Sequence, residues 1–223
     1  MNVLVVMLSK SSTPELITMT QNAIDALTQS TGSHFIDTVV VESHTMLYDY
    51  RFAHVIRYEG GAFNYNRAMK QGIRYGMNKR HFDYVLMVNN DIEPHPDCIK
   101  NLIRAGIASA SPKDPTLDLH ADKTGGITFG FRTTYILCGW FIAMRAGVIA
   151  TIGLAKLLPD ELAFWYQDNW IGEMLRHHGY EHGLVHDALC THLVSRSSAD
   201  VPDTMKDGQR IVFNRLKRLY RLK

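Results

Sequence analysis

Continuous apolar runs separated by amphipathic segments dominate the first hundred residues. Residues 3–8, 35–41 and 83–88 are rich in Val, Leu and Ile and contain few polar positions. Runs of this length and composition are typical of strands buried on both faces, as in a parallel sheet. A shorter run at residues 54–58 predicts another strand between the second and third of these.

The segments between the strands carry helix signals. Thr13, Pro14 and Glu15 form a helix start, with Thr as the cap and Pro at the first helical position. Asn64 can cap a helix over residues 65–78, and another helix is expected to begin near Pro96. Alternation of strands and helices predicts a doubly wound α/β sheet.

The second half of the chain has a different pattern. Residues 113–124 are polar and rich in turn residues, and residues 126–131 and 135–144 predict two strands joined as a hairpin. A helix over 168–178 and a short strand over 184–189 follow. The last predicted helix, 207–222, has apolar positions along one face at Val212, Leu216, Leu219 and Tyr220.

Composition favours one ordinary globular domain. The chain has 223 residues, of which 46% are hydrophobic and 21% charged, and its net charge of +2 is small. Cys98, Cys138 and Cys190 are widely spaced and form no CxxC pair, so we expect buried free thiols rather than a zinc site or disulfides. The N-terminal apolar run is too short for a signal peptide core, which favours a cytoplasmic location.

Polar side chains end three of the predicted strands. Ser9 follows the first strand, Glu42 the second, and Asn89, Asn90 and Asp91 end the run at 83–88. Ligands of open α/β sheets bind beyond the carboxyl ends of the strands, so these groups are expected to converge. Asp91 is placed to hold Mg²⁺ or Mn²⁺, which prefer oxygen ligands. A turn or helix-capping Asp is the alternative, because Asn and Asp are common in turns.

The segment DYVLMVNNDIEPHPDCI, residues 83–99, resembles the metal-site strand of GT-A glycosyltransferases, particularly the family-2 group. The usual motif there is Asp-any-Asp. Asn89 replaces the first Asp, so the resemblance implies that Asp91 is the principal metal ligand. It also implies a GT-A, Rossmann-like mixed sheet that is mostly parallel and flanked by helices. This domain would span residues 1–198, with 199–223 as a basic amphipathic tail.

Two further segments resemble the donor-binding parts of the same family. VVVES places Glu42 where an acidic residue meets the base or ribose of the donor. GGAFNYNRAMKQGIRYG places Asn64 and Arg67 at a helix start suited to phosphate. Pairing with Glu59 or Asp83 on the surface is the alternative for Arg67. Ser9 and Asn90, at their strand ends, complete the expected donor-binding set.

FWYQDNWIGEMLRHHGY, residues 164–180, resembles the helix that carries the family's catalytic base. Asp168 takes that position, and the aromatic residues around it can wall an acceptor pocket. A carboxylate there can accept the proton of an acceptor hydroxyl. A plain N-cap Asp is the alternative.

ALCTHLVSRSS resembles the family's late segment, in which a His completes the metal shell, and His192 is the match. His186 is a rival, and a purely structural His is a third possibility. Trp140 lies in the region that shapes the sugar pocket of the family. It can stack on a sugar face or belong to the core.

The resemblance implies a transferase that uses Mn²⁺ or Mg²⁺ and a nucleoside diphosphate sugar of the UDP or dTDP type. The acceptor hydroxyl would belong to a glycan, a lipid-linked sugar or modified DNA, and the reaction would invert the anomeric centre. Alternatives are a phage-type transferase acting on modified DNA bases, a nucleotidyltransferase, and a non-catalytic module that binds sugar or nucleic acid. The glycine-free loop after the first strand disfavours the nucleotidyltransferase, whereas Asn89 favours the non-catalytic module.

The C-terminal segment is strongly basic. Residues 206–223 contain seven Lys and Arg side chains against one acid, Asp207. The helix can pack on the domain with its charges in water, lie on an anionic membrane, or contact nucleic-acid phosphates. The second alternative corresponds to a cytoplasmic protein peripheral to a membrane.

Overall fold

The structure is a computed structural model that describes residues 1–117, 122–193 and 203–222. Nine strands in these residues form one sheet. Their bounds are β1 Asn2–Ser9, β2 Phe35–Glu42, β3 His54–Arg57, β4 Tyr84–Asn89, β5 Ile92–Pro94, β6 Ser109–Lys113, β7 Ile127–Phe129, β8 Phe141–Arg145 and β9 His182–His192.

Seven helices in the described residues accompany the sheet. Their bounds are α1 Pro14–Gln29, α2 Tyr65–Met77, α3 Cys98–Arg104, α4 Ala146–Ile152, α5 Leu154–Leu157, α6 Gln167–His177 and α7 Asp203–Leu219. The expected caps are confirmed, since the Thr13 side chain accepts from the Leu16 amide and that of Asn64 from the Arg67 amide.

The sheet confirms the α/β class but not a mostly parallel arrangement. The strand order is β3-β2-β1-β4-β8-β6-β9-β5, with β7 paired to β9. Four pairs are parallel, β1–β2, β1–β4, β2–β3 and β6–β9. Another four are antiparallel, β4–β8, β6–β8, β5–β9 and β7–β9. A buried apolar run shows that a strand is covered on both faces, but it does not determine the strand's direction, so the prediction failed in the second half.

The parallel strands β1 to β4 have their carboxyl ends at one edge of the sheet, as expected. Ser9 of β1 pairs with Glu42 of β2, and Leu8 pairs with Asn89 of β4. α2 packs closely across this half of the sheet. A Cβ at Gly72 would lie 2.3 Å from Cγ1 of Val6, so only glycine permits this approach.

The hairpin predicted for residues 126–131 and 135–144 is wrong. β7 is three residues long and pairs with β9, whereas β8 begins at Phe141 and lies between β4 and β6. Gly139 and Trp140 therefore lie in the loop before β8 rather than in a strand. The strand predicted over 184–189 extends to the eleven residues of β9.

α7 packs against the domain through part of the predicted apolar face. Leu216 is buried, and Val212, Phe213 and Tyr220 pack on the same core. Leu219 is 73% exposed, contrary to prediction, because the contact is centred on the row of Phe213, Leu216 and Tyr220.

The predicted boundary between residues 198 and 199 lies outside the described residues. Among the helices that the structure describes, none is long and apolar enough to cross a bilayer.

Candidate functional site at the carboxyl edge of the sheet

Asp91 and His192 face each other at the carboxyl edge of the sheet. Asp91 follows β4 and is 1% exposed. The antiparallel pairing of β5 with β9 sets Ile92 opposite His192, which brings Oδ1 of Asp91 to 3.4 Å from Nε2 of His192. The Asp91 carbonyl also accepts a 2.9 Å hydrogen bond from the Leu193 amide. The sequence-based pairing of these two side chains is therefore present in the structure.

The two facing atoms are suited to share a cation. Both are buried, and neither has a hydrogen-bond partner among the residues that the structure describes. Metal bonds to carboxylate oxygen and imidazole nitrogen are about 2.1 Å long, so one ion can contact two atoms at this separation. No group of three or more His, Cys, Asp or Glu side chains in the described ranges could hold a metal. Mg²⁺ commonly takes one or two carboxylates and completes its shell with water and substrate phosphates.

Trp140 and Asp114 hold His192 in position. The His192 ring stacks on the Trp140 indole, with centroids 4.9 Å apart and planes 9° apart. The Trp140 carbonyl accepts a 2.9 Å hydrogen bond from the Asn89 amide. Oδ2 of Asp114 accepts from the His192 amide at 3.2 Å. One face of Trp140 is thus covered by His192, and the indole anchors the side of the site that carries His192.

Asp114 was not identified from the sequence. It directly follows the buried strand β6, much as Asp91 comes two residues after the end of β4, and it is 5% exposed. Its Oδ1 also accepts from the amide and the hydroxyl of Thr116, at 2.9 and 2.7 Å. The same strand-end signal could have found it, but the polar segment in which it lies was interpreted as a loop.

Glu42 is completely buried at the end of β2. Its Oε1 accepts hydrogen bonds from the amides of Ser11 and His44, at 3.1 and 2.7 Å. Its Oε2 has no partner in the described part of the chain. A buried carboxylate oxygen with no hydrogen bond is destabilising, so this atom is the acceptor that a ligand hydroxyl or N–H group would satisfy.

Ser9 and Asn90 belong to a buried polar network beneath the edge. Oγ of Ser9 lies 2.8 Å from Oγ of Ser11 and 3.2 Å from Oγ1 of Thr20. Asn90 donates to the same Thr20 hydroxyl at 2.9 Å, and Ser11 contacts the Tyr50 hydroxyl. These bonds join the ends of β1 and β4 to α1, so Ser9 and Asn90 hold the strand ends in place.

Asn64 and Arg67 are directed towards the loop before α6. Nδ2 of Asn64 donates to the Asp160 carbonyl at 2.7 Å. Arg67 donates to the Gly60 carbonyl at 3.0 Å and lies 3.7 Å from the Asp160 carboxylate. Neither Glu59 nor Asp83 forms an ion pair with Arg67 in the described residues.

The same loop is held by two further residues of α2. Lys70 pairs with Asp160 at 2.6 Å, and Asn66 donates to the Pro159 carbonyl at 2.8 Å. α2 thus fixes the segment that leads to the helix carrying Asp168.

Asp168 lies in the first turn of α6, where Tyr166 and not Asp168 is the N-cap residue. Its Oδ1 accepts from the Asn169 amide at 2.8 Å. Burial raises the pKa of Asp168, and hydrogen bonds from the backbone oppose the shift in part. A carboxylate with a raised pKa binds protons more readily, as a general base requires.

Two neighbouring groups show that the carboxylates share one region. Burial, and then the charges of Asp168 and Asp91, raise the pKa of Tyr65, whose hydroxyl lies 3.5 Å from the Gly139 carbonyl. Burial and the charges of Asp114 and Asp168 raise the pKa of the Cys138 thiol to about 12. Tyr65 was not identified from the sequence, although it directly follows the cap residue of α2.

His186, the alternative to His192, and the three cysteines lie buried among packing residues. His186 is buried in β9, and its Nε2 lies 2.8 Å from the Thr128 hydroxyl. Cys98, Cys138 and Cys190 are buried free thiols, as predicted.

Comparison of the sequence with protein-family models and with curated proteins gives no match. The fold and the site define an α/β protein with a mixed sheet, whose carboxyl edge carries a buried Asp–His pair and two further carboxylates, Asp114 and Asp168.

Proposed function

We propose that this protein is a metal-dependent glycosyltransferase that moves a sugar from a nucleoside diphosphate sugar to an acceptor hydroxyl. The observation that carries the proposal is the buried pair of Asp91 and His192, whose facing atoms lie 3.4 Å apart at the carboxyl edge. Ligands of open α/β sheets bind at this edge. The resemblance of residues 83–99 and 164–180 to family-2 glycosyltransferases agrees with it.

Asp91 and His192 would hold Mn²⁺ or Mg²⁺, and Asn89, which precedes Asp91 by two residues, would add its side-chain oxygen. When bound, the ion supplies positive charge that stabilises the leaving diphosphate. Asp114 and Trp140 position His192 through its amide and its ring. The unpartnered Oε2 of Glu42 would accept a hydrogen bond from the nucleoside of a UDP- or dTDP-type donor.

Asp168 would act as the base. Its carboxylate removes the proton of the acceptor hydroxyl while the acceptor oxygen bonds to the anomeric carbon and the bond from that carbon to the diphosphate oxygen breaks. The electron pair of the broken bond leaves with the diphosphate, and the anomeric centre is inverted. The acceptor would be a hydroxyl on a glycan, a lipid-linked sugar or modified DNA.

Release of nucleoside diphosphate from UDP- and dTDP-sugars, measured with and without Mn²⁺, tests the proposal. We expect metal-dependent release by the wild type and none above background by Asp91→Ala. Asp187→Asn removes a carboxylate from an exposed position of β9 and is the matched control, with release expected to equal that of the wild type. Metal-independent release, or equal release by Asp91→Ala, would contradict the proposal.

A second candidate is a non-catalytic module that binds a nucleotide sugar. It is favoured by Asn89, which stands where the family that residues 83–99 resemble has a carboxylate. Calorimetric binding of UDP-sugars without turnover against a panel of acceptors would favour this candidate over the transferase.

A further inference from the structure

α7 has one face on the domain and one face in solvent. Leu216 is buried, and Lys217 turns inwards to pair with Glu173 at 2.8 Å. The contacts with the core fix the rotation of the helix about its axis, so the residues on its outer face are determined by the helical repeat.

The outer face is rich in arginine. Arg215, Arg218 and Arg221 are exposed and form no ion pair within the described residues. Arg210 is also exposed and pairs at 3.3 Å with Asp207, which is the single acid from residue 206 onwards. The helix therefore presents a concentrated positive charge to solvent.

We propose that the solvent face of α7, which carries Arg210, Arg215 and Arg218, binds the phosphate backbone of a nucleic acid together with Arg221, which lies just beyond the end of the helix. Arginine is suited to phosphate because its planar guanidinium donates two parallel hydrogen bonds and stays charged. Arg215 and Arg218 are three residues apart and so project from neighbouring positions on one side of the helix.

The exposed apolar residues of α7 favour nucleic acid over a membrane. Ile211 and Leu219 are 68% and 73% exposed. They are more than two turns apart, at helical angles that differ by roughly 80°, with Arg215 between them. Helices that lie in a membrane interface present a continuous apolar face, which these two side chains do not form.

The helix also adjoins the loop that leads to Asp168. The Gln209 side chain accepts from the Ala163 amide at 2.7 Å and donates to the Glu161 carbonyl at 3.3 Å. Phe213 stacks on Tyr166, with centroids 5.4 Å apart. These contacts are made by the face of α7 that meets the domain, so they hold the helix with its arginine face towards solvent. Binding to α7 does not depend on the proposed transferase activity.

Fluorescence anisotropy of labelled DNA and RNA oligonucleotides, single- and double-stranded, over a series of salt concentrations tests the proposal on the full chain. We expect the logarithm of the binding constant to fall linearly with the logarithm of salt concentration. Arg215→Gln/Arg218→Gln should lower the slope by about 1.5 to 2 and weaken binding at low salt by roughly tenfold for each lost phosphate contact. Arg215→Lys/Arg218→Lys should keep most of the slope because the charge is retained.

Arg74→Gln/Lys79→Gln removes the same charge from exposed positions around α2 and should bind as the wild type does. Ile211→Ser/Leu219→Ser should also bind as the wild type does. Binding to phosphatidylglycerol vesicles but not to oligonucleotides would overturn the proposal in favour of a membrane. It would equally fail if no oligonucleotide binds, or if the α2 variant loses as much affinity as the α7 variant. Melting temperatures check that each variant is folded.

Discussion

Gly139 lies directly against Asp168. A Cβ at position 139 would be 3.0 Å from Cβ of Asp168 and 3.2 Å from its Oδ2, and both distances are tighter than ordinary van der Waals contact. The Gly139 carbonyl is also 3.5 Å from the Tyr65 hydroxyl. A side chain at position 139 would therefore press on Asp168 and displace it by a few tenths of an ångström.

We expect Gly139→Ala to displace the Asp168 carboxylate and lower kcat by roughly 10- to 100-fold, because small misplacements of a catalytic group reduce the rate strongly. Gly147→Ala is the matched control. Position 147 lies in α4 with nothing within 4 Å of an added Cβ, so this change should leave kcat intact and raise stability by about 0.4–1 kcal/mol. Wild-type kcat in Gly139→Ala would show that the contact does not position Asp168.

Asp168→Asn should abolish turnover and keep donor affinity. The amide retains an oxygen that can accept from the Asn169 amide, but it cannot take a proton from the acceptor. Calorimetric titration of a donor sugar nucleotide with Mn²⁺, together with turnover, separates binding from chemistry. A parallel loss of donor affinity would assign Asp168 to donor binding.

The stability of Asp168→Asn should depend less on pH than that of the wild type. Burial raises the folded-state pKa of Asp168 above its ordinary value of 3.8. At a pH between the unfolded-state pKa and the raised folded-state pKa, the folded chain holds a proton that the unfolded chain has released. Stability therefore falls as the pH rises from the first of these pKa values through the second. The variant has no such loss, and its melting temperature at neutral pH should equal or exceed that of the wild type. A clear decrease would contradict the stated effect of burial.

Protonation of His182 should destabilise the folded protein as the pH falls. Burial lowers its pKa from 6.5 to about 4. Its Nδ1 lies 2.8 Å from the Ser109 hydroxyl and its Nε2 3.1 Å from the Ile136 carbonyl, which suits a neutral ring protonated at Nε2. The unfolded chain binds the proton first, so stability is lost as pH falls from about 6.5 to about 4, by up to about 3 kcal/mol.

Melting curves of wild type and His182→Gln across this pH range measure the effect. The difference in stability between the two proteins should be largest near neutral pH and shrink as the pH falls. A constant difference would mean that His182 does not titrate in this range. Using the difference removes the contribution of other groups that titrate in both proteins.

Leu216→Ala should destabilise the protein by about 2–4 kcal/mol because it leaves a cavity where α7 meets the core. Leu219→Ala, on the same helix, should change stability by less than about 0.5 kcal/mol, because that side chain is in solvent. Urea denaturation of both variants makes the comparison. Similar values for the two would mean that α7 does not dock as described. Deletion of residues 206–223 should accordingly destabilise the domain, because it exposes the core surface that Leu216 covers in the intact protein.

Several elements could be predicted because their signals are local. Thr13 and Asn64 were identified as helix caps from residue type and position alone. Ser9, Glu42 and Asn89 were placed at one edge because parallel strands share the direction of their carboxyl ends. Asp114 was missed because the polar segment that contains it predicts a loop, and Tyr65 because its importance comes from neighbours that are distant in the chain.

The chain's own pattern of apolar and polar residues determined the α/β class, the first four strands and the helices between them. Those features depend on contacts within a few residues, on burial and on backbone preference. Tertiary structure alone decided the direction of β8 and the contacts of His192 with Trp140 and Asp114. It also decided which face of α7 meets the core. Each of these depends on how distant segments fold back on one another, and spacing along the chain does not determine that.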